Sequence, residues 1–334
     1  MASKKPFRIA LMGAGRIGKV HAINIHQHPE TSIAYVVDPV AEYAQALASS
    51  VGATVVEPEA VFADDAIDAV VICSATPTHS DLIERSLLSG KAVFCEKPID
   101  LSIDRVNTVL QSTSDCTSPF LLGFNRRFDP AIAVMHKQVT AGDVGEVELV
   151  TVISKDPEPP PAEYVRESGG LFRDMTIHDI DMARFMLGEE PVSVVATAAA
   201  LTADHIAAEN DVDTACVTLQ CASGRMAVIT NSRRASFGYD QRVEVHGSLG
   251  SLRTENVPLS TLVLERAEGT RREAPLHFFI ERYRDAYRLE WQHFVDVLND
   301  QCSPLATGED GRRALLIADA ANESLTTGAR VSLV

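Results

Sequence analysis

The chain has 334 residues, 46% of them hydrophobic and 23% charged, which is enough for two domains with a core each. Its 30 lysines and arginines face 46 aspartates and glutamates; the formal net charge of −16 repels nucleic acid and acidic membranes at long range. There is no apolar run of about eighteen residues to span a bilayer, and Cys73, Cys95, Cys116, Cys216, Cys221 and Cys302 are scattered without a CxxC pair, as small buried hydrophobes of a reducing cytoplasm would be.

The start, MASKKPFRIALMGAG, is basic and then briefly apolar before it meets glycines, so it reads as a first strand rather than a signal peptide. The pattern predicts strands at Phe7–Met12, Ile33–Val37, Ala69–Cys73, Ala92–Cys95 and Phe120–Phe124. Helical stretches at Arg16–Gln27, Glu42–Ser50, His79–Ser89 and Ile103–Gln111 lie between them. This alternation implies a parallel, doubly wound sheet. From about Asn125 the pattern changes. Glu146–Ile153 alternates like a strand, Asp156–Pro161 is a proline-rich loop, and Gly170 precedes a helical segment over Asp174–Leu187. Strands then follow one another at Val192–Ala200, Thr214–Cys221, Met226–Asn231, Arg242–His246 and Thr261–Glu265, with short turns that indicate a largely antiparallel sheet. Amphipathic helices at Ile280–Leu298 and Glu309–Thr326 close the chain. The expected fold is α/β: a Rossmann domain over residues 1–124, then an α+β domain over residues 125–334 with a large, mostly antiparallel sheet.

Gly13-Ala14-Gly15-Arg16-Ile17-Gly18 is a G-x-G-x-x-G element between a strand and a helix, and Asp38 lies twenty residues further on, at the end of the second strand. Gly13 permits the tight turn, Gly15 lets the backbone approach a pyrophosphate, and Gly18 lets helix and strand pack closely. The helix N-terminus offers free N–H groups to phosphate. A carboxylate at Asp38 accepts ribose hydroxyls and repels a 2′-phosphate, and Pro39 and Val40 supply no cation to receive one, which favours NAD over NADP.

Glu96-Lys97-Pro98 follows a strand at the carboxyl edge of the sheet, where ligands bind in such folds. A lysine there can stand beside a nicotinamide. In Asp174-Met175-Thr176-Ile177-His178, residues four apart on a helix share a face, so Asp174 and His178 can meet one ligand; Asp179 and Asp181 follow. Read alone, without the upstream motifs, the His–Asp pair is better explained as a local ion pair. No further His or Cys cluster accompanies these carboxylates, so no metal is expected.

These residues together resemble the pattern of the Gfo/Idh/MocA oxidoreductase family. The resemblance rests on GAGRIG at Gly13–Gly18, EKP at Glu96–Pro98 and GGLFRDMTIHDIDMARF at Gly169–Phe185, and spans nearly the whole chain. Within the family it is greatest towards the inositol dehydrogenases, through GFNRRFD at Gly123–Asp129, KDPEPPP at Lys155–Pro161 and FGYDQRVEVHGSLG at Phe237–Gly250. It implies an NAD-dependent oxidation of a ring hydroxyl of a cyclic polyol, myo-inositol to 2-keto-myo-inositol, with another inositol isomer or a pyranose as alternative substrates. The implied catalytic set is Lys97, Asp174 and His178, with His178 as general base and Lys97 as the alternative base. The implied cofactor-binding set is Gly13, Gly15, Arg16, Ile17, Gly18, Asp38, Ser74, Thr76, Glu96, Lys97 and Arg126. The implied substrate-binding set is Lys97, Arg127, Asp156, Asp174, His178, Tyr239 and Tyr287; by the plainer readings Arg127 pairs with Asp129 and Tyr287 belongs to a helix core. The chain departs from the inositol dehydrogenases at Ser154 and Asp156, where they place His and Asn, and this leaves the stereoisomer open. A homotetramer built through the second-half sheet is also implied. A sensor that binds NAD and a sugar without catalysis is the competing class, and the joint presence of Lys97, Asp174 and His178 speaks against it.

Overall fold

In the computed structural model, which describes residues 5–333, the first apolar run forms β1 (Phe7–Met12) and the glycine turn leads into α1 (Arg16–Gln27). The basic start at residues 1–4 lies outside the described residues. Next come β2 (Thr31–Val37), α2 (Ala41–Val51), β3 (Thr54–Val55), α3 (Pro58–Ala63), β4 (Ala69–Ile72), α4 (His79–Leu88), β5 (Ala92–Glu96), α5 (Ile103–Ser112) and β6 (Phe120–Gly123). The strands pair in the order β3-β2-β1-β4-β5-β6, all parallel. The chain winds outward from β1 to β3, then returns to pair β4 beside β1, so the strand order reverses between β1 and β4. In doubly wound sheets the ligand crevice opens at the carboxyl ends of the strands at that point. Covered on both faces, β4 is buried throughout; each buried Val or Ile there contributes roughly 1.5–3 kcal/mol.

Two compact units divide the chain. Residues up to Phe128 pack with Ala286–Arg313, and Asp129–Asp285 packs with the segment from Ala314 on. The single boundary expected at 124/125 puts residues 286–313 in the second domain. Instead, the Trp291 and Phe294 rings meet Phe94 of β5 at 6.4 and 5.8 Å, and Leu122 of β6 donates its N–H to the Ala306 carbonyl. Gly308 and Gly311 allow this close return: a Cβ at Gly308 would lie 2.6 Å from the Leu110 side chain, and one at Gly311 2.5 Å from Leu122.

The second unit opens with α6 (Pro130–Ala141), a helix the sequence reading left unassigned. Its signals are terminal rather than periodic: Asp129 caps the Ala131 and Ile132 N–H groups, Pro130 occupies the first turn, and Gly142 ends the helix at φ 86°. Then follow β7 (Val147–Lys155), α7 (Ala162–Ser168), α8 (Ile177–Leu187), β8 (Pro191–Ala199), α9 (Asp204–Ala208), β9 (Thr214–Cys221), β10 (Met226–Ser232), β11 (Asp240–Gly247), β12 (Gly250–Arg253), β13 (Val263–Arg266) and β14 (Gly269–Arg272). The closing elements are α10 (Phe279–Arg282), α11 (Arg284–Leu298), α12 (Gly308–Thr327) and β15 (Val331–Ser332). The larger sheet runs β12-β11-β7-β10-β9-β8-β15 and is antiparallel except between β7 and β10. The strand expected at Thr261–Glu265 forms β13, but outside this sheet, in a separate hairpin with β14.

Candidate active site

The dinucleotide fingerprint has the expected geometry in the first unit. Gly13 adopts φ 105°, and a Cβ on it would lie 2.5 Å from the Cys73 carbonyl carbon. A Cβ on Gly18 would lie 2.0 Å from the Gly13 oxygen, so the turn closes only with glycine at both positions. At Gly15 a Cβ would meet no atom within 4 Å. This glycine, the N-cap of α1, carries no side-chain cap, so its bare face and the N–H groups behind it suit a phosphate that must approach the backbone. Asp38 accepts from the Ala14 N–H through Oδ2 at 2.7 Å and from the Val40 N–H through Oδ1 at 2.8 Å. Two backbone donors leave the carboxylate further lone pairs for ribose hydroxyls. These residues fit NAD.

Other expected cofactor residues follow neighbouring strands at the same edge. Ser74 and Thr76 come after β4, where the Ser74 Oγ bonds the Thr78 hydroxyl at 2.6 Å. Glu96 ends β5, Lys97 follows it, and Arg126 lies in the 3₁₀ turn Asn125–Phe128 after β6. The His79 ring nitrogens lie 2.7 Å from the Pro98 carbonyl and 3.0 Å from the Ser74 carbonyl, linking the ends of β4 and β5; burial lowers the His79 pKa.

A buried group of polar side chains lies behind Glu96. His21 of α1, fully buried, holds Nε2 2.6 Å from Glu96 Oε1. Glu290 of α11 is fully buried too, and neither carboxyl oxygen has a hydrogen-bond partner among the described residues. Burial, reinforced by the charge of Glu96, pushes its pKa well above the ordinary carboxyl value. Burial likewise raises the thiol pKa of Cys73 and Cys95 well above the usual range, so both are inert hydrophobes.

Two expected substrate residues have packing partners in this unit. Arg127 donates to the Leu305 carbonyl at 2.6 Å and to Asp310 at 2.9 Å. Tyr287 is 5% exposed, with its ring edge-on to His21 at 5.6 Å.

In the second unit Asp174 lies in a π-helical turn, Phe172–Thr176, that runs directly into α8. Asp174 and His178 stand four residues apart across this junction. Asp174 accepts from the Tyr164 hydroxyl at 2.8 Å and from Arg233 at 3.0 Å. Arg233 also lies 3.6 Å from Asp156. Burial works against the charge of Arg233, but the carboxylates of Asp174 and Asp156 outweigh it, and the guanidinium stays cationic. Among the remaining residues of the motif, Asn231 donates to Asp179 at 2.7 Å and accepts from Thr176 at 2.8 Å, and Asp181 lies 3.7 Å from Arg184. Tyr239 is buried, its ring edge-on to Tyr283 at 6.0 Å. Ser154 is fully buried and bonded by Gln241.

Sequence reasoning missed Tyr164 and Arg233. Arg233 comes beside Asp156 because β10 runs parallel to β7, with Ser232 opposite Lys155. Nothing local to NSRRASF announces this pairing. Among the described residues no group of three or more His, Cys, Asp or Glu is arranged to hold a metal ion, and no helix is long and apolar enough to cross a membrane.

Residues 7–118 match the model of the oxidoreductase family with an NAD-binding Rossmann fold, and residues 132–253 match the GFO/IDH/MocA C-terminal domain. The chain is 48% identical to an inositol 2-dehydrogenase of Rhizobium meliloti (strain 1021), over 98% of this chain and 99% of that one. It is similar to the crystal structure of a myo-inositol dehydrogenase from Corynebacterium glutamicum ATCC 13032, with a TM-score of 0.95, 45% identity, and 98% and 99% of the two chains covered. A scyllo-inositol dehydrogenase from Lactobacillus casei, crystallised with NAD(H) and scyllo-inositol, gives a TM-score of 0.91 at 31% identity, covering 98% and 99%. The chain therefore belongs to the Gfo/Idh/MocA family of NAD-binding oxidoreductases.

Proposed function

We propose that the chain is an NAD-dependent dehydrogenase that oxidises a ring hydroxyl of a cyclic polyol, myo-inositol to 2-keto-myo-inositol. Bound NAD supplies the acceptor for the hydrogen and electron pair that leave the carbinol carbon. The glycine loop Gly13–Gly18 takes its pyrophosphate, Asp38 takes a ribose, and Ser74, Thr76, Glu96 and Arg126 take the remainder. His178 accepts the hydroxyl proton, since an imidazole titrates near working pH. Asp174 stabilises the imidazolium that forms. The Lys97 ammonium donates to the reacting oxygen as negative charge develops there. Asp156 and Tyr239 hold other ring hydroxyls.

The observation that carries this reading is the 48% identity to an inositol 2-dehydrogenase along 98% of the chain. The experiment is a panel of myo-inositol, scyllo-inositol, glucose and galactose with NAD, read by absorbance of the reduced cofactor. Oxidation of an inositol is expected. Activity on pyranoses alone keeps the family and rejects the substrate; activity on open-chain alcohols alone rejects both.

We place the enzyme in the cytoplasm as a homotetramer. Val195 of β8 and Met226 of β10 are exposed on the second-unit sheet, and apolar sheet surface of this kind favours burial against another copy.

A further inference from the structure

Arg233 follows β10 and is 2% exposed. Its backbone N–H is fixed by the Asp213 carbonyl at 2.8 Å. Of its guanidinium nitrogens, Nη2 donates to Asp174 Oδ2 at 3.0 Å and Nη1 lies 3.6 Å from Asp156 Oδ2. The charged and titratable groups around Asp174 come from several elements: Tyr164 on α7, Asp156 after β7, Asp211 before β9, Arg233 after β10, and His178 on the helix that continues its own turn.

Resting on the reading that Asp174 and His178 carry the acid–base chemistry, we propose that Arg233 is a positioning residue for the reaction. One guanidinium bonds Asp174, behind the base, and stands as a charge partner 3.6 Å from Asp156, towards the polyol. Its planar fork addresses the two carboxylates with different nitrogens, which the point charge of an ammonium does not. The two carboxylates and one guanidinium sum to one negative charge, the sign that favours an imidazolium on His178. Without the cation, Asp174 and Asp156 repel each other, and protonation of one relieves the repulsion. Tyr164 secures the second oxygen of Asp174, so the carboxylate is held from both sides.

The test compares Arg233→Met, Arg233→Lys and Tyr164→Phe with Asp174→Asn in the full-length enzyme. Turnover against pH is measured with myo-inositol and NAD, and NAD affinity by fluorescence. In Arg233→Met the acidic limb of turnover moves upward by about one pH unit or more, and NAD affinity is unchanged. Arg233→Lys restores part of the shift, and Tyr164→Phe moves the limb the same way by less. An Arg233→Met enzyme that melts earlier but keeps the wild-type limb makes the arginine merely structural and overturns the proposal. Should that variant fail to fold, unshifted limbs in both Arg233→Lys and Tyr164→Phe overturn it. Full turnover in Asp174→Asn removes the underlying reading and this proposal with it. An impaired Asp174→Asn beside an unshifted Arg233 series overturns this proposal alone.

Discussion

Asp38 Oδ2 accepts the backbone N–H of Ala14 at 2.7 Å, so the residue expected to choose the cofactor also ties down the loop that binds it. Its other oxygen holds the Val40 N–H. Asp38→Ser therefore has two effects. The preference for NAD over NADP narrows by about tenfold or more, because each 1.4 kcal/mol of lost repulsion is a factor of ten. The melting temperature falls, because charge-assisted bonds to two backbone donors are lost. Steady-state kinetics with both cofactors, beside a thermal melt, check both. Unchanged discrimination would deny Asp38 its role.

The glycines separate fold from function in the same loop. Gly18→Ala forces a Cβ against the Gly13 oxygen at 2.0 Å and is expected to unfold or severely destabilise the first unit. Gly15→Ala meets no atom within 4 Å, so stability is kept or raised by up to about 1 kcal/mol. Its methyl group stands where the pyrophosphate must approach, and NAD affinity drops. Calorimetry with titration of NAD distinguishes the two. Full NAD affinity in Gly15→Ala would displace the phosphate from this turn.

Much of the first unit was legible because its signals are local. The apolar runs of β1, β4 and β5, the glycine spacing and Asp38 are each read within a short window. The return of residues 286–313 was not legible. The helix carrying Trp291 and Phe294 shows an apolar face but not the sheet that face covers; contacts far away in sequence, with Phe94 and His21, decide it. In the second unit Asp174 and His178 were visible as a spaced pair. Tyr164 and Arg233 were not, since they reach Asp174 through a parallel strand pairing and a short helix of weak pattern. Asp179 and Asp181, which the sequence shows only as following the pair, meet Asn231 and Arg184.

Glu290 gives the protein a pH signature. Burial raises its folded-state pKa above the ordinary 4.5, so the unfolded chain releases this proton at lower pH than the folded one does. Stability from this group is full below about pH 4.5 and declines as pH rises towards the folded-state pKa. Glu290→Gln removes the ionisable group, so its stability relative to wild type should increase between about pH 5 and pH 8. Urea unfolding at both ends of that window measures the difference; a constant offset would mean the carboxyl is ionised in the folded protein.

Arg127 is expected to matter for stability rather than for substrate. Arg127→Met removes the donor to Asp310 Oδ1 and to the Leu305 carbonyl, at a cost of about 1–3 kcal/mol. The KM for the polyol should not change. A raised KM at unchanged stability would return Arg127 to the substrate site.

The acid–base assignment turns on His178→Ala, with turnover on myo-inositol and the dissociation constant for NAD measured on the same preparation. If His178 takes the hydroxyl proton, turnover falls by about 10²–10⁴-fold, while NAD binding and the thermal melt stay at wild-type values. A variant that keeps full turnover would make the His178–Asp174 pair a structural feature of the helix and contradict the assignment; so would one that loses activity only because it no longer folds or no longer binds NAD.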